Sequence, residues 1–243
     1  MNNSTSHIPA EDFEQLYIRL RQKEGRVYTD EQVASLPYIN KNHPHYREWV
    51  IRKNSCKALL SYIEHRKNIL SILEVGCGNG WLTAKLANVA DTTGLDINTT
   101  ELEQAKRVFG KISNLKFVNG SLESDKIQDA KFDMIVFASS IQYFPSLKQT
   151  IGLAIERLTL LGEVHILDSP FYQLHEIEAA RQRSRAWFSS VGHLEMASNY
   201  HHHSLHELDN FQYKILHHPH SWRSKLSIKK NPFYWISIKN RYS

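Results

Sequence analysis

The apolar positions of this chain follow two different periods, and the switch between them divides the sequence. Over residues 11–24, Phe13, Leu16, Tyr17 and Leu20 recur every three or four residues, which predicts an amphipathic helix. A second helix is predicted over about 45–65, with Trp49, Cys56, Leu59, Leu60 and Ile63 on its buried side. Between them Gly25, Pro37 and Pro44 predict an irregular connection, and residues 1–6 read as a frayed end. From residue 69 onward, short apolar runs alternate with helical stretches. Strands are predicted at 69–75, 92–95, 115–118, 132–137 and 162–167, and helices at 81–88, 99–109 and 146–158. Such alternation argues for right-handed βαβ units building a parallel sheet covered on both faces.

After Pro170 the rhythm breaks. Residues 174–190 predict one more helix, 192–209 are rich in histidine, and 211–216 and 233–238 read as two strands. No convincing helical crossover joins those two runs, so they are expected to pair antiparallel. The expected fold is α/β, doubly wound, with a mostly parallel seven-stranded sheet, helices on both faces, an antiparallel strand near the C-terminus and additional N-terminal helices. The expected organisation is an N-terminal helical segment or lid over 1–66 and a Rossmann-like domain over 67–243, with an acceptor-site insertion at about 171–210.

Composition narrows the class without naming a function. The 243 residues are 41% hydrophobic and 23% charged, which suits a folded core. A net charge of +5 permits an anionic partner but is ordinary for a solvated surface. Cys56 and Cys77 are the two cysteines, too few for a disulfide framework and in keeping with a reducing compartment. The N-terminus lacks the apolar core of a signal peptide, and no apolar run approaches the roughly 20 residues of a spanning helix. The expectation is a cytoplasmic protein without membrane association.

Candidate chemistry starts at Glu74-Val75-Gly76-Cys77-Gly78-Asn79-Gly80, where the first strand turns into a helix. Glycine supplies positive φ and leaves space for a ligand, and the helix that follows offers unpaired N–H groups. The dinucleotide fingerprint G-x-G-x-x-G would place its third glycine at residue 81, where Trp81 stands instead. Glu74 ends the apolar strand, and an acid there is costly without partners and would repel a pyrophosphate. Asp96, about 20 residues past the glycines and at the end of the second strand, is placed to accept both hydroxyls of a ribose. A helix cap in Asp96-Ile97-Asn98-Thr99 is its plainer reading.

Five blocks in this order, ILEVGCGNGWLTAKLA, TGLDIN, FVNGSLES, KFDMIVFASSIQYFP and LLGEVHILD, span about 69–168. Together they resemble the class I, Rossmann-like S-adenosylmethionine-dependent methyltransferases. The resemblance implies that Gly76, Gly78 and Gly80 line the methionine and ribose portion, with Glu74 at the methionine amino end or bracing the loop. It further implies that Asp96 takes the ribose hydroxyls, Ile97 packs on adenine, and Ser121 and Leu122 border the adenine edge. Ala138 and Ser139 would approach the methionine part, with Gln142 facing the acceptor. Family members usually carry aspartate where Ser121 stands, a departure that leaves the adenine contact to a hydroxyl or the Leu122 N–H. Arg52, on the helix before the first strand, is the candidate partner of the methionine carboxylate, and an exposed helix arginine is the competing reading.

The implied activity is methyl transfer from S-adenosyl-L-methionine to an unidentified, small-molecule acceptor. Macromolecule methylation of RNA or protein, and cofactor binding without catalysis, are the alternatives, with an NAD-dependent oxidoreductase last. Ala138-Ser139-Ser140-Ile141 replaces the N-P-P-Y type tetrapeptide of similar amino-group methylases, which favours other acceptors. The family has no fixed catalytic residue, and no metal site is expected. Candidate bases are Asp168 and the cluster His201, His202, His203 and His206, the cluster reading more simply as an exposed polar loop. Tyr28, Tyr38 and Trp49 are candidates for a lid, and Tyr143 and Phe144 for a wall of the acceptor site. Arg181, Arg183 and Arg185 read as a solvated helix face that would also suit an anionic acceptor.

Overall fold

The computed structural model describes residues 10–66, 68–221 and 231–240; the frayed end expected at 1–6 lies outside them. Three helices precede the first strand: α1 (Ala10–Lys23), α2 (Asp30–Ser35) and α3 (Tyr46–Glu64). Then follow β1 (Ser71–Val75), α4 (Trp81–Leu86), β2 (Asp91–Asp96), α5 (Thr99–Phe109), β3 (Leu115–Asn119), β4 (Phe132–Ala138), α6 (Leu147–Glu156) and β5 (Leu158–Leu167). The last part holds β6 (Phe171–Tyr172), α7 (Ile177–Ser190), β7 (His203–Ser204), β8 (Tyr213–His217) and β9 (Trp235–Lys239).

Seven strands form one sheet in the order β3-β2-β1-β4-β5-β9-β8, and β6 pairs with β7 in a separate two-stranded ribbon. Neighbours from β3 through β5 are parallel, while β9 runs antiparallel to both β5 and β8. Both strand runs expected after Pro170 therefore exist and pair as expected. The second of them also inserts between β5 and β8, an arrangement that spacing along the chain does not convey.

Alternation along the central strands explains why both faces are covered. Ile72, Met134 and Val136 enter a core shared with Trp49, Leu59 and Ile63 of α3 and with Leu82 and Leu86 of α4. Leu73, Val75, Ile135 and Phe137 point the other way, into a core with Leu147, Ile151 and Ala154 of α6. A period of two on strands buried on both sides yields near-continuous apolar runs, as in Ile72-Leu73 and Met134-Ile135-Val136-Phe137. A third cluster joins Leu16 and Leu20 of α1 to Phe188 of α7 and Met196. So the apolar stripe of α1 packs against the last third of the chain and not against the sheet.

One element is absent from the expected pattern. Residues 25–44 are not wholly irregular, because α2 begins there at a capping box. The Thr29 hydroxyl accepts the Gln32 N–H at 3.3 Å, and the Gln32 side-chain oxygen accepts the Thr29 N–H at 2.9 Å. T-x-x-Q ahead of an apolar residue is a readable helix start. Asp30 of α2 then pairs with Arg107 of α5 at 3.1 Å, and Gln104 bonds Asp30 and the Tyr28 carbonyl. These contacts hold the N-terminal segment beside the end of β2.

Candidate active site

Strand order reverses between β1 and β4, and in open α/β sheets the crevice at such a point is where ligands bind. An open cleft lies there, at the carboxyl ends of the strands. Its floor is the glycine loop, with Gly76, Gly78 and Asn79; its far wall is Ala138, Ser139 and Asp168. Tyr17, Arg21, Arg26, Tyr28, Trp49 and Arg52 close it from the N-terminal side.

The loop glycines serve different ends. Gly76 has φ 73°, and a Cβ there would lie 2.5 Å from that of Ser140, whose hydroxyl donates to the Val75 carbonyl at 2.7 Å. That glycine lets the loops after β1 and β4 meet. Gly78 (φ 51°) faces the Glu101 carboxylate, 3.1 Å from where a Cβ would sit. Gly80 does not line the cleft. It takes the left-handed conformation at the start of α4, and a Cβ would strike Phe117 at 2.6 Å and Ala105 at 2.9 Å. The missing Cβ at Gly80 thus allows close helix–sheet packing. Trp81, in place of the third fingerprint glycine, meets Trp49 edge to face with centroids 5.3 Å apart and ties the loop to α3.

Glu74 is buried on the α3/α4 side of the sheet and accepts the Thr83 hydroxyl at 2.5 Å. Burial pushes its carboxyl up to about 8, helped by the nearby charge of Asp96. Asp96 does not line the cleft. One of its oxygens accepts the Gly78 N–H at 2.7 Å and the other the Asn98 N–H at 2.8 Å, so it braces the glycine loop and the turn into α5. The turn contact matches the plainer of the two sequence readings of Asp96, and the bond to Gly78 is one that neither reading included.

The residues expected around adenine are not gathered into the cleft. Ile97 is 40% exposed, and Ser121 is exposed with its hydroxyl turned to the Glu123 N–H. Leu122 is buried in the core with Leu95, Ile127 and Phe132, and its carbonyl is held by Arg157 at 2.6 Å. Its side chain thus supports the strand edge.

Arg52 does reach the cleft and is not a free surface arginine. Its Nε and Nη2 both lie 3.0 Å from Glu48 Oε1, and its guanidinium stacks over Trp49. Arg26 reaches the other Glu48 oxygen at 2.6 Å. Burial would raise the Glu48 carboxyl, but the hydrogen bond from Arg26 and the charges of Arg52 and Arg26 hold it down to about 2. Arg21 bonds Glu24 at 3.0 Å and the Tyr17 hydroxyl at 2.8 Å. Sequence reasoning finds Arg52 but misses Arg21 and Arg26 of this arginine-rich rim. Its members are scattered over α1, α3 and the turn between, at spacings that carry no motif.

Two non-glycine residues stand at positive φ, Ser139 (57°) and Asp168 (51°), at the ends of β4 and β5. Such backbone is uncommon and clusters at functional sites. The Ser139 hydroxyl donates to the Asp168 carbonyl at 2.9 Å, and the Asp168 carboxylate accepts the Ser55 hydroxyl at 2.6 Å. Burial raises the Asp168 carboxyl above its usual range.

The histidine cluster is no exposed loop, which corrects that expectation for its central members. His202 and His203 are 7% and 3% exposed. His203 sits against the Ile141 carbonyl at 3.2 Å and Glu207 at 3.4 Å; His202 bonds Ser184 at 2.8 Å and lies between Tyr172 and Tyr200. His206 is exposed. Tyr28 and Trp49 line the cleft and share a hydrogen bond of 2.9 Å, whereas Tyr38 is 61% exposed and takes no part. Tyr143 packs on Tyr17 of α1 and on Tyr200, and Phe144 on Phe137. Arg181, Arg183 and Arg185 are exposed on α7, apart from the cleft. Cys56 and Cys77 are buried and unpaired with each other. Among the described residues no group of three or more histidine, cysteine, aspartate or glutamate side chains is placed to hold a metal ion, and no helix is long and apolar enough to cross a membrane.

Fold and cleft together define a Rossmann-like nucleoside-cofactor protein. Residues 72–159 match a methyltransferase domain family. Among curated proteins the chain is similar to malonyl-[acyl-carrier protein] O-methyltransferases. That of Anoxybacillus flavithermus is 28% identical over 131 residues, 51% of this chain and 49% of that protein. That of Acetivibrio thermocellus is 30% identical over 122 residues, 49% and 42% respectively. The chain spans about half the length of the curated relatives it matches. Among solved structures, the plantazolicin methyltransferase BpumL in complex with SAH aligns over 93% of this chain and 100% of its own, with TM-score 0.57 and 17% identity. The YcgJ protein of Bacillus subtilis aligns over 78% and 100%, with TM-score 0.60 and 15% identity. Residues 72–159 thus resemble a methyltransferase domain, carried on a fold similar to that of the class I, Rossmann-like S-adenosylmethionine-dependent methyltransferases.

Proposed function

We propose that the protein transfers the methyl group of S-adenosylmethionine to an oxygen of a small acceptor, an acyl carboxylate being the first to test. The observation that carries this reading is the cleft at the β1/β4 reversal, floored by Gly76 and Gly78 and backed by a buried Glu74. A Cβ on Gly78 would press on the Glu101 carboxylate that lines the cleft, and one on Gly76 would collide with Ser140 and part the two loops that meet at its floor. Cofactor-binding roles then fall to Glu74, Gly76, Gly78, Asp96, Ala138 and Ser139, with Arg52 and Arg21 on the carboxylate side of the rim. A bound sulfonium supplies the methyl for in-line displacement, so the protein's work is orientation and exclusion of water. Tyr17, Tyr28 and Trp49 roof the cleft, and Ser139 and Asp168 set its far wall through their constrained backbone.

The relatives' names support the acceptor class: they are O-methyltransferases of malonyl-[acyl-carrier protein]. A carboxylate needs no deprotonation before attack, whereas an alcohol would require a base. The groups nearest that role are otherwise engaged, Asp168 by Ser55 and His203 by Ile141 and Glu207. The N-terminal helices roof the cleft, and residues 171–210 reach the loop after β4, where the His201 N–H donates to the Gln142 carbonyl at 2.7 Å. That favours a small molecule or a group presented on a thin arm over a folded surface. The two unpaired cysteines suit a reducing cytoplasm.

Calorimetric titration with S-adenosylmethionine and NAD in parallel tests the cofactor, and preference for NAD would sink the proposal. Radiolabelled methyl transfer to pooled carboxylate and alcohol acceptors tests the substrate. Product that survives mild base, which cleaves methyl esters, would turn the assignment away from carboxylates.

A further inference from the structure

Glu101 is the acid that sequence reasoning does not single out. It lies in the first turn of α5, where Asn98 caps the helix, and its side chain turns back over the glycine loop. Its carboxylate oxygens would stand 3.1 and 3.6 Å from a Cβ on Gly78, and it lines the cleft that Asp96 does not. No hydrogen bond from the described residues reaches those oxygens; burial and the charges of Asp96 and Glu14 oppose their ionised form, and the charges of Arg21 and Arg52 favour it. Asp96, by contrast, has each oxygen committed to a main-chain amide, one of them the N–H of Gly78 itself. Two carboxylates therefore flank Gly78. One is spent on the loop, and the other faces the cleft with its lone pairs unused.

An ionised carboxylate accepts several hydrogen bonds and donates none, and leaving it unpaired in a half-buried site is unfavourable. A second carboxylate close by repels anions, so a neutral ligand bearing hydroxyls suits the unpaired acid: a hydroxyl brings a proton donor without negative charge. A cationic ligand group already has Glu74 beneath the loop. We propose that Glu101 is a specificity-determining residue of the cofactor site, accepting one hydroxyl of the ribose diol, while Asp96 acts through the Gly78 amide that it holds. Glu101 thereby makes binding depend on an intact ribose, a role carried by position five residues past the end of β2 and not by the strand-end acid alone. The inference rests on the cofactor reading above.

The test uses the full chain and S-adenosylhomocysteine with its 2′-deoxy and 3′-deoxy ribose analogues, titrated calorimetrically into wild type, Glu101→Leu and Glu101→Gln. The wild type is expected to prefer the parent compound to at least one deoxy analogue by about tenfold or more, the scale of a hydrogen bond to a charged group. In Glu101→Leu that ratio should fall to about twofold or less for one hydroxyl and persist for the other, with Glu101→Gln between. Removing a half-buried unpaired acid should also leave the empty variant at least as resistant to heat as wild type, which shows that the site is still folded. A general weakening that leaves every parent-to-deoxy ratio unchanged would overturn the inference, because a structural or merely electrostatic role acts equally on all three compounds. Failure of wild type to bind S-adenosylhomocysteine at all would instead sink the cofactor reading, and this inference with it.

Discussion

At the residue scale, the glycine loop and Glu74 show opposing demands of stability and binding. The Glu74 carboxyl, ordinarily near 4.5, is pushed up to about 8 by burial. A folded-state value above the unfolded one means that its contribution is fully present below the unfolded value and is lost as pH rises from about 4.5 through 8. Glu74→Gln should therefore raise the melting temperature of the empty protein above pH 8 and change it little near pH 4.5. Above pH 8, where the wild-type carboxylate is ionised, the same variant should bind the cationic cofactor about tenfold more weakly. Thermal scans across pH and parallel calorimetry check both halves. A loss of stability at high pH would contradict the assignment of the shift to burial.

Gly76→Ala and Gly80→Ala are expected to separate site from scaffold. Both positions carry positive φ, and both added methyls collide, with Ser140 and Phe117 respectively. Each change should cost about 1–3 kcal/mol from backbone conformation alone, with the collision added. At Gly76 the loss of cofactor affinity should exceed that at Gly80, because only Gly76 lines the cleft. Denaturant titration combined with calorimetry would show the split, and equal losses of affinity would refute it.

At the element scale, α1 is held over the cleft by few contacts, all away from the sheet. Glu14 accepts from the Thr100 N–H and hydroxyl at 2.9 and 2.8 Å, and Leu16 and Leu20 bury themselves with Phe188 and Met196. Truncating Leu20, which is 2% exposed, to alanine should cost about 2–4 kcal/mol of local packing. That loosens α1 and not the core. Cofactor dissociation should accelerate while the denaturant midpoint of the main transition moves little; stopped-flow displacement and limited proteolysis of α1 test this.

A second element-scale device binds α3, β5 and β9. Trp235 has only a donor to offer, so its 2.9 Å bond fixes Nδ1 of His165 as acceptor and leaves Nε2–H for Glu163 at 3.1 Å. Glu163 also accepts from Tyr62 at 2.5 Å and pairs with Arg66 at 3.2 Å. Burial alone would raise the Glu163 carboxyl, but hydrogen bonds from His165 and Tyr62, with the Arg66 charge, hold it down to about 2. Its stabilisation is thus present above the ordinary 4.5 and is lost as pH falls towards 2. Glu163→Gln should lower stability at neutral pH and flatten the acid limb between those values, as measured by denaturant titration at several pH values. An unchanged acid limb would refute the assignment.

For the whole molecule, a ligand that binds only the folded state raises its stability by mass action. At 100 times its dissociation constant the gain is about 2.7 kcal/mol, which for a chain of this size amounts to a melting shift of about 5–10 °C. S-adenosylhomocysteine should produce that shift and NAD should not.

Much of this architecture is legible in the sequence because burial on both faces writes itself into local runs. Met134-Ile135-Val136-Phe137 reads as a central strand from its apolar continuity alone. The short glycine loop after β1 keeps Glu74, Gly76 and Gly78 together because the chain has no room to separate them. The α2 helix carries a local signal too, in Thr29 and Gln32, but Gly25, Pro37 and Pro44 frame it as a loop and mask it. What only the tertiary structure decided arises from contacts between distant segments. Arg21, Arg26, Glu48 and Glu101 meet at the cleft from separate helices and turns, and no periodicity encodes which faces of those segments converge. The same holds for the turning inward of Asp96 and Leu122, the burial of His202 and His203, and the insertion of β9 between β5 and β8. Local pattern fixes what each segment is; packing among segments, which depends on shape and on finding partners for buried charges, decides which side chains face the ligand.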